Sequence, residues 1–182
     1  MYIKKLSIPE VILLTPKIYK DRRGFFFEAF NQRIFNKSIK RDVTFVQDNF
    51  SKSSKNVLRG LHFQSMPHEQ GKLVMVLKGE IFDVALDIRK KSKTFGKWVG
   101  AYLSSNNKKQ IWIPEGFAHG FLVISETAEI KYKTTKYYNK LAERTIIWND
   151  KDLKITWPIT KNCRPIVSSK DQKGNNLKNL RY

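Results

Sequence analysis

Residues 73–88 read LVMVLKGEIFDVALDI and contain two stretches of β-strand character separated by Lys78-Gly79. The first, Leu73–Leu77, is apolar throughout. In the second, Glu80–Ile88, apolar side chains recur at every other position, so that one face of an extended strand is continuously hydrophobic. Because Lys-Gly between two such runs indicates a tight turn, we expect this stretch to form a β-hairpin.

Similar short segments continue along the chain, with polar residues, Gly or Pro between them. They are Trp98–Leu103, Gln110–Ile113, Phe121–Ile124 and Ala128–Thr135. We expect the last two to pair around residues 125–127, and we expect short helices only at Asn31–Lys37 and Ser169–Asn176. Many short strands joined by turns are typical of a β-sandwich or barrel. The sequence therefore predicts an all-β fold with a few short helices, in a single domain over residues 1–182.

The composition is that of a globular protein. The chain has 182 residues, of which 41% are hydrophobic and 28% charged, which suffices for one buried core. No apolar stretch approaches the roughly 20 residues of a membrane span, and Pro9 and charged residues interrupt the N-terminal segment. The single Cys163 excludes an intrachain disulfide framework. We therefore expect a cytoplasmic protein without membrane contact.

The net charge is strongly positive: the chain has 35 Lys and Arg residues and 16 Asp and Glu residues, which gives +19. Such a charge attracts polyanions and raises the question of nucleic-acid binding. The cations are spread along the chain, however, and no zinc-finger, RNA-recognition or basic-zipper pattern accompanies them. We therefore expect a lysine-rich solvated surface and no nucleic-acid partner, with a few cations free to bind a small anion such as a diphosphate.

Side-chain alternation selects candidate site residues. In Ala128–Thr135, Lys131 and Lys133 share one face, so Tyr132 is expected to point inward with Ile130. The alternative for Tyr132 is a core tyrosine whose hydroxyl is bonded to a backbone carbonyl.

Two histidines also stand out. His62 shares a strand face with Gly60, whereas Arg59 has the opposite parity, so both can face one cavity only if the strand bends or bulges at Gly60. His119 is expected at a strand entrance, a position suited to ligand contact. The alternatives are a structurally satisfied His62 and a His119 that caps a turn.

No metal or cofactor is expected. The three histidines include no closely spaced pair, since His62 and His68 lie six residues apart and His68 falls beside Pro67. No phosphate-binding glycine loop, nucleophile elbow or dinucleotide fingerprint is present.

Taken together, ten segments resemble, in order, the dTDP-4-dehydrorhamnose 3,5-epimerase family. The resemblance implies a cupin-like antiparallel β-barrel (a jelly roll), a dTDP-4-keto-6-deoxyhexose substrate, no cofactor, and a homodimer in which N-terminal segments complete the neighbouring site. The matching segments are residues 21–28 (DRRGFFFE), 45–51 (FVQDNFS), 57–64, 70–74, 79–89, 94–100, 111–123, 132–138, 148–150 and 169–171.

The resemblance also implies catalytic roles. His62 would be the base that removes a proton next to the ketone, a role suited to an imidazole, whose unperturbed pKa is about 6.5. Asp171 would hold that imidazole. Tyr132 would deliver a proton from the opposite face, and Lys72 would stabilise the enolate oxygen.

The implied substrate-binding residues are distributed along the chain. Arg23 and Arg59 would grip the diphosphate, and His119 would act near the sugar or phosphate. Tyr138 would pack on the thymine. Further contacts are implied for Glu28, Gln47, Asp48, Asn49, Glu143 and Lys170. The alternatives are an exposed loop ion pair for Arg23 and Glu28, and a turn-forming aspartate for Asp48.

Two further functions stay open from the sequence. Phe50, Phe63 and Met75 depart from residues common in the family, which leaves the exact sugar and the number of inverted centres undecided. One alternative is a single-centre 3- or 5-epimerase on a related dTDP-4-keto sugar. The other is a nonenzymatic barrel that binds anions.

Overall fold

The computed structural model describes residues 1–161 and 163–180, and its regular structure is mainly antiparallel β-strand. The helices are α1 (Gln32–Ile39), which is N-capped by Asn31, and α2 (Ser169–Gln172), with short 3-10 turns at Lys140–Ala142 and Leu177–Asn179. The strands are β1 (Tyr2–Lys5), β2 (Ile12–Thr15), β3 (Tyr19–Asp21), β4 (Gly24–Phe26), β5 (Gln47–Ser54), β6 (Val57–Gln64), β7 (Lys72–Lys78), β8 (Glu80–Asp87), β9 (Trp98–Ser104), β10 (Gln110–Ile113), β11 (Phe117–Val123), β12 (Thr127–Thr134), β13 (Glu143–Thr145) and β14 (Ile166–Val167).

Two sheets form the barrel. The first has the strand order β1-β2-β10-β7-β12-β5, and the second has the order β13-β6-β11-β8-β9 with β14 added in parallel to β6. Strands β3 and β4 form a separate two-stranded hairpin. The all-β prediction is confirmed, and the arrangement is that of a cupin-like barrel.

The core lies between the two sheets and continues on their outer faces. Inward side chains of both sheets, among them Val74, Ile81, Phe121 and Ile130, form one apolar cluster. A second cluster covers the outer face of the second sheet with residues from the C-terminal segment, and a third packs α1 on the first sheet. The second sheet is therefore buried on both faces, which explains why seven of the eight residues of β8 are buried.

The two expected hairpins are wrong, although their strands exist. Strand β7 belongs to the first sheet and β8 to the second, and the same holds for β12 and β11. Gly79, with a φ of +80°, turns the chain from one sheet to the other, and a Cβ there would lie 2.0 Å from the carbonyl oxygen of Thr127. The Glu80 N–H donates to the Ser125 Oγ at 2.8 Å, so the two connections pack against each other at one corner of the barrel.

A β-bulge places two site residues on the same wall. His62 lies opposite His119 on β11, whereas Arg59 lies opposite Phe121, so β6 has one more residue than β11 over this interval. Directly opposed residues share a face, and Phe121 belongs to the inward cluster. Arg59 and His62 therefore both face the interior, and the bulge expected at Gly60 is confirmed.

Replacing Gly60 with alanine is expected to destabilise the protein by about 2 kcal/mol or more, because its φ of +112° strains any L side chain and a Cβ would lie 2.6 Å from the His119 carbonyl oxygen. Gly24→Ala is the matched control, since Gly24 has a φ of +129° but, apart from its two chain neighbours, no described residue comes within 4 Å of the position its Cβ would take. Urea unfolding of both variants measures the difference. Equal losses of stability would show that the close approach of β6 to β11 is unimportant.

Candidate active site

One cavity collects seven of the fourteen predicted site residues. It has a volume of about 250 Å³, lies at one end of the barrel, and is lined by Gln47, Asn49, His62, Phe63, Gln64, Gln70, Lys72, Tyr132, Tyr138 and Glu143. A neighbouring cavity of about 400 Å³ shares Phe63, Gln64 and Gln70 with it, but it is largely apolar and contains none of the predicted residues. The smaller cavity is therefore the candidate active site.

His62 is held by a buried carboxylate. Its Nε2 lies 2.6 Å from Oδ1 of Asp171, which is 2% exposed, and Oδ2 of Asp171 accepts a hydrogen bond from the Gly60 N–H. Burial raises the pKa of Asp171, but its bonds to His62 and Gly60 and the charge of Lys170 outweigh this and hold the pKa below its usual range. Because Asp171 engages Nε2, Nδ1 is the ring nitrogen left to take a proton from a ligand.

Lys72 places a buried amine beside this imidazole. Its side chain is 9% exposed, and its Nζ lies 3.4 Å from the carbonyl oxygen of His62. Burial lowers the pKa of Lys72 to about 8, while the charges of Asp83 and Glu143 oppose that change. The amine is therefore a cation at neutral pH on the wall of the cavity.

Tyr132 lines the cavity from the other sheet. Its inward direction is confirmed, because Ile130 beside it is buried, while Lys131 and Lys133 bind Asp48 on the outside. Within the part of the chain that the structure describes, its hydroxyl has no hydrogen bond, so the alternative of a tyrosine tied to a carbonyl is wrong. Burial raises the pKa of the Tyr132 phenol against the charge of Arg59, and Glu143 adds to the rise. The group is thus protonated at neutral pH and can act as an acid.

The rim of the cavity is a polar network. The Tyr138 N–H donates to Gln47 Oε1 at 3.0 Å, and Gln47 donates to Asn49 at 2.8 Å. The Tyr138 hydroxyl lies 3.2 Å from Glu143, whose other oxygen accepts from Lys170 Nζ at 2.7 Å. These contacts bring together five residues predicted to bind the substrate, and they leave the Tyr138 ring about half exposed at the opening.

Arg59 and His119 lie beside the cavity rather than on its wall. The Arg59 Nε donates to the Ser53 Oγ at 3.0 Å. His119 is buried within β11, not at a turn, and its Nε2 lies 2.8 Å from Oδ2 of Asp83. The turn-capping alternative for His119 is therefore wrong.

Three predicted residues are not brought to the cavity in the isolated chain. Asp48 lies within β5 and forms outward ion pairs with Lys131 and Lys133, so it is not in a turn. Arg23 lies between β3 and β4, with its side chain 90% exposed and bound to Asp21. Glu28 accepts a hydrogen bond from Asn31. The roles of these residues stay predictions.

Sequence reasoning missed Asp83. The alternation of β8 places this carboxylate on the same face as Ile81 and Ala85, which are inward core residues. An acid between two inward core residues of the same strand face was the available signal. Over the described residues, no group of three or more His, Cys, Asp or Glu side chains is arranged to hold a metal, and no helix there is long and apolar enough to cross a membrane.

Comparisons with known proteins show the family of this chain. The family model described as dTDP-4-dehydrorhamnose 3,5-epimerase matches residues 5–179. The chain is 54% identical over 182 residues to the dTDP-4-dehydrorhamnose 3,5-epimerase of Shigella flexneri, covering 100% of this chain and 99% of that protein. It is 57% identical over 171 residues to the enzyme of the same name from Salmonella typhimurium, covering 94% and 92%.

Solved structures show the same relationship. The dTDP-6-deoxy-D-glucose-3,5-epimerase of Legionella pneumophila, in complex with dTDP-4-keto-L-rhamnose, has a TM-score of 0.95 and 48% identity, covering 99% of this chain and 94% of that chain. A 3'-monoepimerase from Streptomyces bikiniensis, in complex with dTDP-quinovose, has a TM-score of 0.88 and 28% identity, covering 95% and 86%. By sequence and fold, the chain belongs to the dTDP-4-dehydrorhamnose 3,5-epimerase family.

Proposed function

We propose that the protein is an epimerase that inverts C3 and C5 of dTDP-4-dehydro-6-deoxy-D-glucose to give dTDP-4-dehydro-L-rhamnose. One observation carries the proposal: His62, which Asp171 of α2 holds, the Lys72 amine and the Tyr132 hydroxyl converge on one cavity from three different strands. A base, an acid and a charge stabiliser in one cavity are the groups that proton exchange next to a ketone requires.

In this mechanism the ketone at C4 acidifies the C–H bonds at C3 and C5. His62 Nδ1 takes a proton, the electrons of the broken C–H bond move to O4 as an enolate, and the Lys72 ammonium stabilises the oxygen. Tyr132 then donates its proton to the opposite face of the same carbon as the carbonyl re-forms, and the two groups exchange protons with solvent before the next inversion. Asp171 stabilises the imidazolium, and no redox step or cofactor enters.

The nucleotide would lie across the rim. Tyr138 would stack on the thymine, with Gln47, Asn49, Glu143 and Lys170 as polar contacts. Arg59 and His119, which face the interior beside the cavity, would reach the diphosphate or sugar once the ligand enters. Asp48 is proposed to contribute to the same nucleotide contacts.

The protein is proposed to act as a homodimer. The β3–β4 hairpin carries the exposed aromatic residues Tyr19, Phe25 and Phe26, an apolar surface that a second copy would cover. Docking of this hairpin on a neighbouring protomer would bring Arg23 and Glu28 to that protomer's nucleotide. The proposal assigns the activity to one domain of residues 1–182, of which 162, 181 and 182 lie outside the described residues, acting in the cytoplasm.

Incubation with dTDP-4-keto-6-deoxyglucose in D2O tests the function. We expect deuterium at both C3 and C5 of the sugar, because each inversion exchanges one carbon-bound proton with groups that equilibrate with solvent. NMR and mass spectrometry of the product locate the label, with heat-inactivated protein as the control.

Two other outcomes would replace the proposal. Label at one carbon alone would favour the single-centre epimerase, an alternative supported by the likeness to a 3'-monoepimerase. Absence of exchange, together with salt-dependent binding to duplex DNA, would favour the nonenzymatic anion-binding barrel.

A further inference from the structure

Asp83 is an ionisable residue that the mechanism above does not use. Its side chain is fully buried on the inward face of β8. Oδ2 lies 2.8 Å from His119 Nε2, whereas the buried Oδ1 has no hydrogen-bond partner among the described residues. A buried carboxylate with a free oxygen is costly for a fold unless nearby charge compensates it.

Asp87 on the same strand shows what a structural carboxylate looks like here. It is equally buried and lies on the same face, but its oxygens accept hydrogen bonds from Arg89, Ser92 and Thr94. Asp83 lacks such a set, since the one hydrogen bond that its side chain makes to a described residue is with His119. Its retention in the core therefore calls for a second role besides holding the imidazole.

That second role is electrostatic. Lys72 lies on β7 of the facing sheet, on the same strand face as the inward core residues Val74 and Val76, so its side chain and that of Asp83 both point between the two sheets. Within the described chain, the one hydrogen bond of the buried Lys72 amine is the long contact with the His62 carbonyl. Of the charges that favour the ammonium form of Lys72, Asp83 exerts the larger effect and Glu143 the smaller. Because the interaction occurs away from water, solvent screens it weakly.

We propose that Asp83 is a positioning residue for the epimerisation, whose buried charge keeps Lys72 an ammonium ion while its hydrogen bond fixes His119. This inference rests on the proposed function. Without Asp83 a larger fraction of Lys72 is neutral, and a neutral amine stabilises an enolate oxygen poorly. Asp83 itself touches no substrate atom in this scheme and acts through Lys72.

Asp83→Asn removes the charge and keeps both the size and an oxygen for the His119 N–H. We expect kcat to fall about tenfold with KM changed less than about threefold, because the transition state loses charge stabilisation and the ground-state contacts remain. Activity depends on the protonated amine, so it declines as pH rises through the Lys72 pKa of about 8. In the variant this decline begins at lower pH. The other ionisable side chains around the cavity, which the substitution leaves in place, are Glu143, His62, Tyr132 and His119.

A matched variant and a direct titration separate this role from a structural one. Asp87→Asn, which removes an equally buried carboxylate of β8, is expected to lower stability and leave the alkaline decline unmoved. NMR titration of the Lys72 Cε resonance, assigned with Lys72→Met, is expected to give a lower pKa in Asp83→Asn than in the wild type. Equal Lys72 pKa values in the two proteins would overturn the inference. Absence of epimerase activity in the wild-type protein would instead refute the proposed function, and the titration can still be measured in that case.

If Asp83→Asn folds too poorly for kinetic measurements, the free energies of unfolding provide a second test. The single substitution leaves a buried ammonium less compensated, whereas the double variant Lys72→Met/Asp83→Asn removes both charges. Denaturant unfolding of the wild type, both single variants and the double variant is expected to show coupling, with the double variant more stable than additivity predicts. Additive losses would mean that the two charges do not interact, and would overturn the inference.

Discussion

His62→Asn is expected to lower turnover about 10³-fold while dTDP affinity changes less than threefold, because the substitution removes a general base and little else. An asparagine amide can still contact Asp171, which is buried and held independently by the Gly60 N–H. Epimerisation followed by NMR and dTDP binding followed by calorimetry measure the two effects separately.

His68→Asn is the matched control for this prediction. His68 is half-buried, lies outside the cavity lining and contacts Asn139 through its Nε2, so its replacement is expected to leave turnover within about twofold of wild type. If His62→Asn weakened dTDP binding as much as turnover, His62 would have a structural role instead of a catalytic one.

Tyr132→Phe is expected to reduce product formation about 10²-fold while solvent exchange of the substrate continues. The phenylalanine ring fills the same space but cannot donate a proton. His62 can still remove a proton and return one to the same face, so deuterium enters the sugar without inversion. Mass spectrometry gives the exchange rate and NMR the inversion rate, and their ratio is expected to rise.

Tyr102→Phe provides the comparison. Tyr102 lies on β9, is about half exposed, and packs on Phe82 with ring centroids 5.1 Å apart, away from the cavity. Its exchange-to-inversion ratio is expected to equal that of the wild type. An unchanged ratio in Tyr132→Phe would remove Tyr132 from the proton path.

Alternation predicted local structure well and connectivity poorly. It located Gln110–Ile113 to the residue and set the inward direction of Tyr132. It did not reveal that β7 and β8 belong to different sheets, since alternation describes the faces of one strand and not its neighbours. The decisive contact joins Gly79 to Thr127, and such a tertiary contact leaves no periodic signal.

The site residues also fall into those whose placement strand alternation could predict and those whose placement it could not. The bulge at Gly60 could be anticipated from the parity of Arg59 and His62, because only an irregular strand can point both inward. The pairing of His62 with Asp171 spans 109 residues, so only resemblance to a family could suggest it. The carboxylate of Asp83 escaped notice because strand parity does not reveal that an acid is fully buried.

The His62–Asp171 pair joins two separate parts of the fold, and this has a consequence for how the cavity can diverge. Strand β6 sets the position of the imidazole, whereas α2 supplies the carboxylate that holds its Nε2. Changes in the short helix can therefore alter how the ring is held without reshaping the cavity. Changes in the barrel wall can reshape the cavity without removing that contact.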